Sequence, residues 1–181
     1  QFLNDEYLQN FTAITVDSEI PLQKPFDRVK DLEKEYAVAQ DADCTEKTYY
    51  AFAAAMDVTL DPKVCKAFEM LSYVLVDMPG APLKQALLDA GIGSDIDVEF
   101  CDILRQSYFA ITTKNAKAGQ KTQFEKVLRD TLAKIVKDGL DKKALEAAIN
   151  GTEFREREAD FGTFPKGLLY SLKMYQTWLY D

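Results

Sequence analysis

Residues 60–93 read LDPKVCKAFEMLSYVLVDMPGAPLKQALLDAGIG, and this stretch decides the fold class. Asp61 can accept from free backbone N–H groups, and Pro62 supplies a first-turn φ at no hydrogen-bond cost, so a helix starts here and runs to about Val76. Pro79, Gly80 and Pro82 must break it; residues 83–90 resume as a short helix, which Gly91 ends. The period then changes. Residues 96–100 and 107–113 alternate as strands do, the second setting Tyr108, Ala110 and Thr112 opposite Phe109, Ile111 and Thr113.

The same pattern extends outward in both directions. Residues 30–40, with Leu32, Tyr36 and Val38, and residues 47–58, with Tyr49, Tyr50, Phe52 and an alanine run, read as two paired strands turning at Asp41-Ala42-Asp43, although the alanines leave helix open for the second. Residues 12–26, punctuated by Pro21 and Pro25, read as a linker, and the first residues as the tail of an amphipathic helix. Toward the C-terminus, Phe124, Val127, Leu128, Leu132, Ile135 and Val136 form one helical stripe that Gly139 caps. Asp141 caps a further helix that carries Leu145, Ala148, Ile149 and Phe154 toward the core and ends near Phe161-Gly162. Thr163 can cap the last helix, on which Leu168, Leu172, Tyr175 and Leu179 repeat. The expected order is strand, strand, helix, helix, strand, strand and three helices. That is an α+β layout: a mostly antiparallel sheet with helices packed on one face.

With 181 residues, 47% hydrophobic and 29% charged, the chain suits one domain with extensions. Its net charge of −8 argues against a nucleic-acid partner, because such binding draws on clustered Lys and Arg. The strongly apolar stretch at 70–78 is interrupted by Ser72 and Asp77 and is too short for a membrane span. Cys44, Cys65 and Cys101 lie far apart and read as reduced, mostly buried thiols. The chain holds no histidine, so a Ser-His-Asp triad, a Cys-His pair and every histidine-based zinc motif are excluded.

Four groups of residues could carry chemistry. Asp95, Asp97, Glu99 and Asp102 gather carboxylates that could hold a hard cation, but without EF-hand spacing they read better as strand-edge acids facing water. Gly91-Ile92-Gly93 follows a helix rather than a strand, so it reads as a helix stop and not a phosphate cradle. Glu153, Arg155, Glu156, Arg157 and Glu158 alternate in sign, as a solvated helix face does, and the arginines would keep nearby acids ionised. Tyr49, Tyr50, Phe52, Tyr108 and Phe109 could line a peptide groove, although sheet core explains aromatic strand residues more simply.

Three segments resemble the presequence-protease branch of the pitrilysin/insulinase zinc metallopeptidases. Asp17-Ser18-Glu19-Ile20-Pro21-Leu22-Gln23-Lys24-Pro25-Phe26 is similar to the connector between the family's first and second domains. Residues 79–93 resemble its helix break, a small residue, any residue, then Pro-Leu ahead of a Gly-x-Gly. The most specific match runs through Gly139-Leu140-Asp141, then residues 150–158, then Phe161-Gly162-Thr163-Phe164-Pro165-Lys166-Gly167-Leu168, and closes on residues 178–181. Thr163 stands where the family has Ser, and Lys166 where Arg is usual.

The resemblance implies an internal second domain of the first half of such an enzyme. It assigns residues 1–28 to the end of the preceding domain's helix and a linker, 29–160 to an α+β non-catalytic domain, and 161–181 to the start of a helical connector between halves. The family's zinc ligands, an inverted His-x-x-Glu-His and a distal Glu, belong to the first domain, so no catalytic, cofactor-binding or metal-ligating residue is expected in this chain. Zinc is implied for the parent only. The implied partners are the other domains of the parent chain and its peptide substrates; no targeting signal is read, and the expected setting is the bacterial cytoplasm with an organelle as the alternative. The implied function is a non-catalytic structural domain that forms wall and frame of a closed peptide-degrading chamber. The alternative is a stand-alone protein- or peptide-binding module. Without neighbours, Leu3, Tyr7, Leu8, Trp178 and Leu179 should be exposed.

Overall fold

The computed structural model describes residues 1–17, 19–58, 61–159 and 161–178, and the elements below are drawn from these. A short helix α1 (Phe2–Glu6) and an irregular stretch lead to β1 (Thr48–Val58). Then come α2 (Pro62–Ser72), α3 (Pro82–Asp89), β2 (Asp95–Cys101), β3 (Gln106–Ala116), α4 (Lys121–Asp138), α5 (Lys142–Arg157) and α6 (Lys166–Trp178). The sheet is antiparallel in the order β1-β3-β2, an α+β fold.

Local chemistry sets the helix ends as expected. Asp61 accepts from the Lys63 N–H at 2.9 Å with Pro62 next to it, and Asp141 accepts from the Ala144 N–H at 2.7 Å. Beyond Ser72, α2 widens into a π turn over Tyr73–Asp77, closed by the Met78 N–H on the Tyr73 carbonyl at 2.9 Å. Its smaller angular step brings three consecutive apolar residues, Val74, Leu75 and Val76, into the core. Around them Leu83, Leu87, Ile92, Ile96, Ile111 and Leu128 are almost completely buried.

The structure departs from expectation in several places. Residues 30–40 form no strand: only β1 of the expected hairpin is present, and it pairs with β3 instead. Asp31, Glu33, Lys34 and Glu35 leave that stretch little to bury, and Leu32, Tyr36 and Val38 all lie exposed. Val136 is exposed because it stands about 100° around α4 from Ile135. On α5 the inward stripe is Leu145, Ala148 and Thr152, at helical spacing; Ile149 and Phe154 fall off it and are exposed. That helix ends at Arg157, earlier than expected. Residues 161–164 form a turn, with the Phe164 N–H on the Phe161 carbonyl at 3.2 Å, so Pro165 rather than Thr163 stands at the entry to α6. Of the cysteines Cys65 alone is buried, whereas Cys44 is exposed. Leu3, Tyr7, Leu8 and Trp178 are exposed as expected, and Leu179 lies outside the described residues.

Candidate functional site

The sheet has two unlike faces, and the register assigns each residue to one of them. Phe52 and Val98 flank Ile111, and Tyr50 and Ile96 flank Thr113. This side packs against the helices, with the Tyr50 ring stacked on Phe124 at 5.9 Å. The Tyr50 hydroxyl donates to the Lys117 carbonyl at 2.8 Å and accepts from the Gln120 N–H at 2.9 Å, fastening the β3–α4 loop. The other side carries Ala51, Ala53 and Ala55 on β1, Tyr108, Ala110, Thr112 and Lys114 on β3, and Asp95, Asp97, Glu99 and Cys101 on β2. The three β1 alanines are exposed. Alternation thus divides the aromatic set: Tyr50, Phe52 and Phe109 belong to the packed side and Tyr108 to the open side. Tyr49, at the irregularity between Thr48 and Tyr50, is exposed and pairs with the Tyr36 ring at 5.3 Å.

On the open side the acids are already engaged. Lys114 bridges Asp97 and lies 3.5 Å from Asp95, and the hydrogen bond it donates to Asp97 holds the lysine above its ordinary pKa. Glu99 accepts from the Tyr108 hydroxyl at 2.7 Å, and that bond pushes the phenol up to about 12. Asp102 stands apart in the β2–β3 turn, close enough to add to the rise that burial imposes on the Cys65 thiol.

Gly91-Ile92-Gly93 closes α3 as a Schellman motif: the Ile92 N–H reaches the Leu87 carbonyl at 3.0 Å and the Gly91 N–H reaches Leu88 at 2.9 Å. Two of the amides a phosphate would need are therefore taken. The Ile92 carbonyl accepts from the buried Thr113 hydroxyl at 2.9 Å, which ties the helix stop to β3.

A cleft of about 490 Å³ opens between α2, β2, α5 and α6, floored by Val98 and Phe100. At its mouth Lys66 contacts Glu69 and Glu156, each at 2.7 Å, and Lys173 lies 3.5 Å from Glu156. Glu153 pairs with Arg157 at 2.5 Å, and Arg155 donates to the Thr152 hydroxyl at 3.2 Å. Burial works against the Lys66 ammonium, but the hydrogen bonds to Glu156 and Glu69 outweigh it and raise its pKa. The same Lys66 bond lowers the pKa of Glu156. Neither group is poised for proton transfer near neutral pH, since one holds its proton more firmly and the other less.

The stability consequence has a definite sign. Glu156 stabilises the fold above its ordinary value of 4.5 and loses this as pH falls through its lower folded value. Lys66 contributes below its ordinary 10.5 and loses this as pH rises through its higher folded value. With side chains 31% and 48% exposed, the pair is worth under about 1 kcal/mol. Denaturant melts of Glu156→Gln against the native chain are expected to differ by that amount at pH 7 and to converge only once the pH has fallen below the lowered folded value of the carboxylate. The 90-residue separation of Lys66 and Glu156 left this pairing without any local signal in the sequence.

Zinc does not fit these donors. The chain has no histidine, and among the described residues no three of Cys, Asp and Glu gather as a metal site. The helix-backed antiparallel sheet places the chain in the α+β class. Residues 4–152 match the family described as the peptidase M16 inactive domain, and the chain belongs to that family. It is 41% identical over its whole length to protein HypA of Clostridium perfringens, of which it covers 19%. It is also 31% identical, over 97% of its length, to presequence protease 1, chloroplastic/mitochondrial, of Arabidopsis thaliana, covering 17% of that protein. The chain thus spans under a fifth of the curated relatives it matches. The fold is similar to that of the inactive peptidase domain of a candidate zinc protease from Bordetella parapertussis, with TM-score 0.55, 16% identity, 74% of this chain and 76% of that one. Among the described residues no helix is long and apolar enough to cross a membrane.

Proposed function

We propose that this domain supplies wall and frame to the peptide-holding chamber of a larger zinc metallopeptidase and takes no part in bond cleavage. Residues 29–160 would be the domain body, with 1–28 leading in from a preceding domain and 161–181 leading on to the next half. Zinc and its ligands would lie elsewhere in the parent, whose other domains are the immediate partners.

The observation that carries this reading is the one-sided sheet. Helices cover one face, while the other offers a low row of Ala51, Ala53 and Ala55 on β1 and, across β3 with its Lys114, a ridge of Asp95, Asp97 and Glu99 on β2. A flat, open and net acidic surface suits an extended basic peptide passing over it. The names of the relatives, presequence proteases, support the same reading, because targeting presequences are Arg-rich and poor in acids. A stand-alone binding module would use the same face; a His-x-x-Glu-His motif encoded upstream of this chain would eliminate it.

Hydrolysis of a quenched fluorescent peptide library tests the reading in two settings. The purified chain is expected to show no turnover with zinc or with a chelator, and chelator-sensitive turnover would overturn the non-catalytic assignment. In the full-length parent, a bulky label on a cysteine placed at Ala53 is expected to slow cleavage several-fold, while the same label at exposed Ile149 leaves it unchanged. Equal rates for both would sink the wall.

A further inference from the structure

We propose that the corner formed by Arg105 and Gln106 is a docking site for an extended backbone, that residues 20–23 are its resident ligand, and that this contact fixes the direction in which the polypeptide before residue 20 leaves the sheet. The Gln106 side-chain amide meets both backbone groups of one residue. Its Oε1 accepts from the Gln23 N–H at 2.5 Å, and its Nε2 donates to the Gln23 carbonyl at 3.2 Å. This closed double bond is the pattern that two facing residues make in an antiparallel ladder, with a side chain standing in for one strand. Three residues upstream, Arg105 Nη1 donates to the Ile20 carbonyl.

All three contacts go to main-chain atoms, so the corner reads an extended path rather than particular side chains. Pro21 within the bound stretch and Pro25 just beyond it each hold φ near −65°, which lowers the entropy lost when the stretch docks. The receiving side belongs to the sheet: Gln106 opens β3 and pairs with Val58 of β1, beyond an irregularity after Ala55. The same turn leaves Ile103 and Leu104 exposed, so the corner joins polar backbone-reading groups to apolar surface, the mixed composition of a contact site.

Burial does not hold the segment. Ile14, Val16, Ile20, Leu22 and Phe26 are all exposed, so its position depends on the hydrogen bonds to a corner 83 residues away in sequence. The proposal is independent of the chamber reading: it concerns how the chain enters this domain, whatever lies beyond.

Amide hydrogen exchange by NMR on the full chain tests it. Native Gln23 is expected to be protected, and Gln106→Ala, which removes both hydrogen bonds to Gln23, to speed its exchange about tenfold. Ile111 and Thr113 amides in β3 should keep their rates. Arg105→Ala should speed exchange at Gln23 about threefold. An unprotected Gln23 in the native chain, or one whose rate Gln106→Ala leaves unchanged, overturns the proposal. Should Gln106→Ala also loosen β3, Gln106→Met keeps the side-chain length but removes both donor and acceptor. It is expected to speed Gln23 exchange about tenfold with β3 intact, and an unchanged rate there overturns the proposal equally.

Discussion

Replacing Gly93 with alanine is expected to lower the unfolding free energy by about 3 kcal/mol or more, which for a chain of this size shifts Tm down by about 10 °C. Two penalties coincide at this position. The backbone sits at φ +73°, a conformation that costs an L-residue about 1 kcal/mol. An added Cβ would also lie 2.1 Å from the Thr113 Oγ1 and 2.4 Å from the Lys114 carbonyl oxygen, and neither can retreat cheaply. Thr113 is fully buried and donates to Ile92, while Lys114 O accepts from the Ser94 N–H at 3.0 Å. Gly91→Ala is the internal control. It has φ +65° but open space around the new Cβ, so it should show the conformational part alone, about 1 kcal/mol. Thermal melts of the two variants side by side check the argument, and equal losses would mean that the close approach to β3 contributes nothing.

Leu87→Ala is expected to cost about 3 kcal/mol, within the usual 2–5 for a buried leucine. Leu87 is fully buried on the inward side of α3, in one cluster with Ile92, Phe124 and Leu128. Truncation removes apolar area and leaves a cavity, and the surroundings cannot close over it because the Ile92 N–H is bonded to the Leu87 carbonyl and Thr113 to the Ile92 carbonyl. The loss should appear as a lower urea midpoint with unchanged slope. A loss below about 1 kcal/mol would show that α3 can move to fill the space.

What could be read in advance was local chemistry. Asp61 with Pro62, Asp141, and Gly91 each act on backbone groups within a few residues, so the helices they bound were predictable one element at a time. The alternation of β3 likewise assigned Tyr108 and Phe109 to opposite faces before any partner strand was known. What failed depended on distant partners. Leu32, Tyr36 and Val38 have the spacing of a strand, but spacing does not provide a neighbour, and five charges in the same stretch leave it little to gain by pairing. Phe154 was expected inward on the strength of its apolarity, whereas helical geometry gives that stripe to the smaller Ala148 and Thr152. Within the charged run of α5 the mixed signs correctly suggested a solvated face. The singular place of Glu156, between Lys66 of one helix and Lys173 of another, follows only from how the three helices converge.

The one-sided sheet also separates two kinds of inheritance along a single strand. Ile111 and Thr113 are held by the packing beneath them, so descendants that alter either must repair the interior at the same time. Thr112, lying between them in the chain, and Ala51 and Ala53 beside it, have no interior to repair. A lineage could therefore recolour this surface residue by residue while the frame underneath stayed as it was.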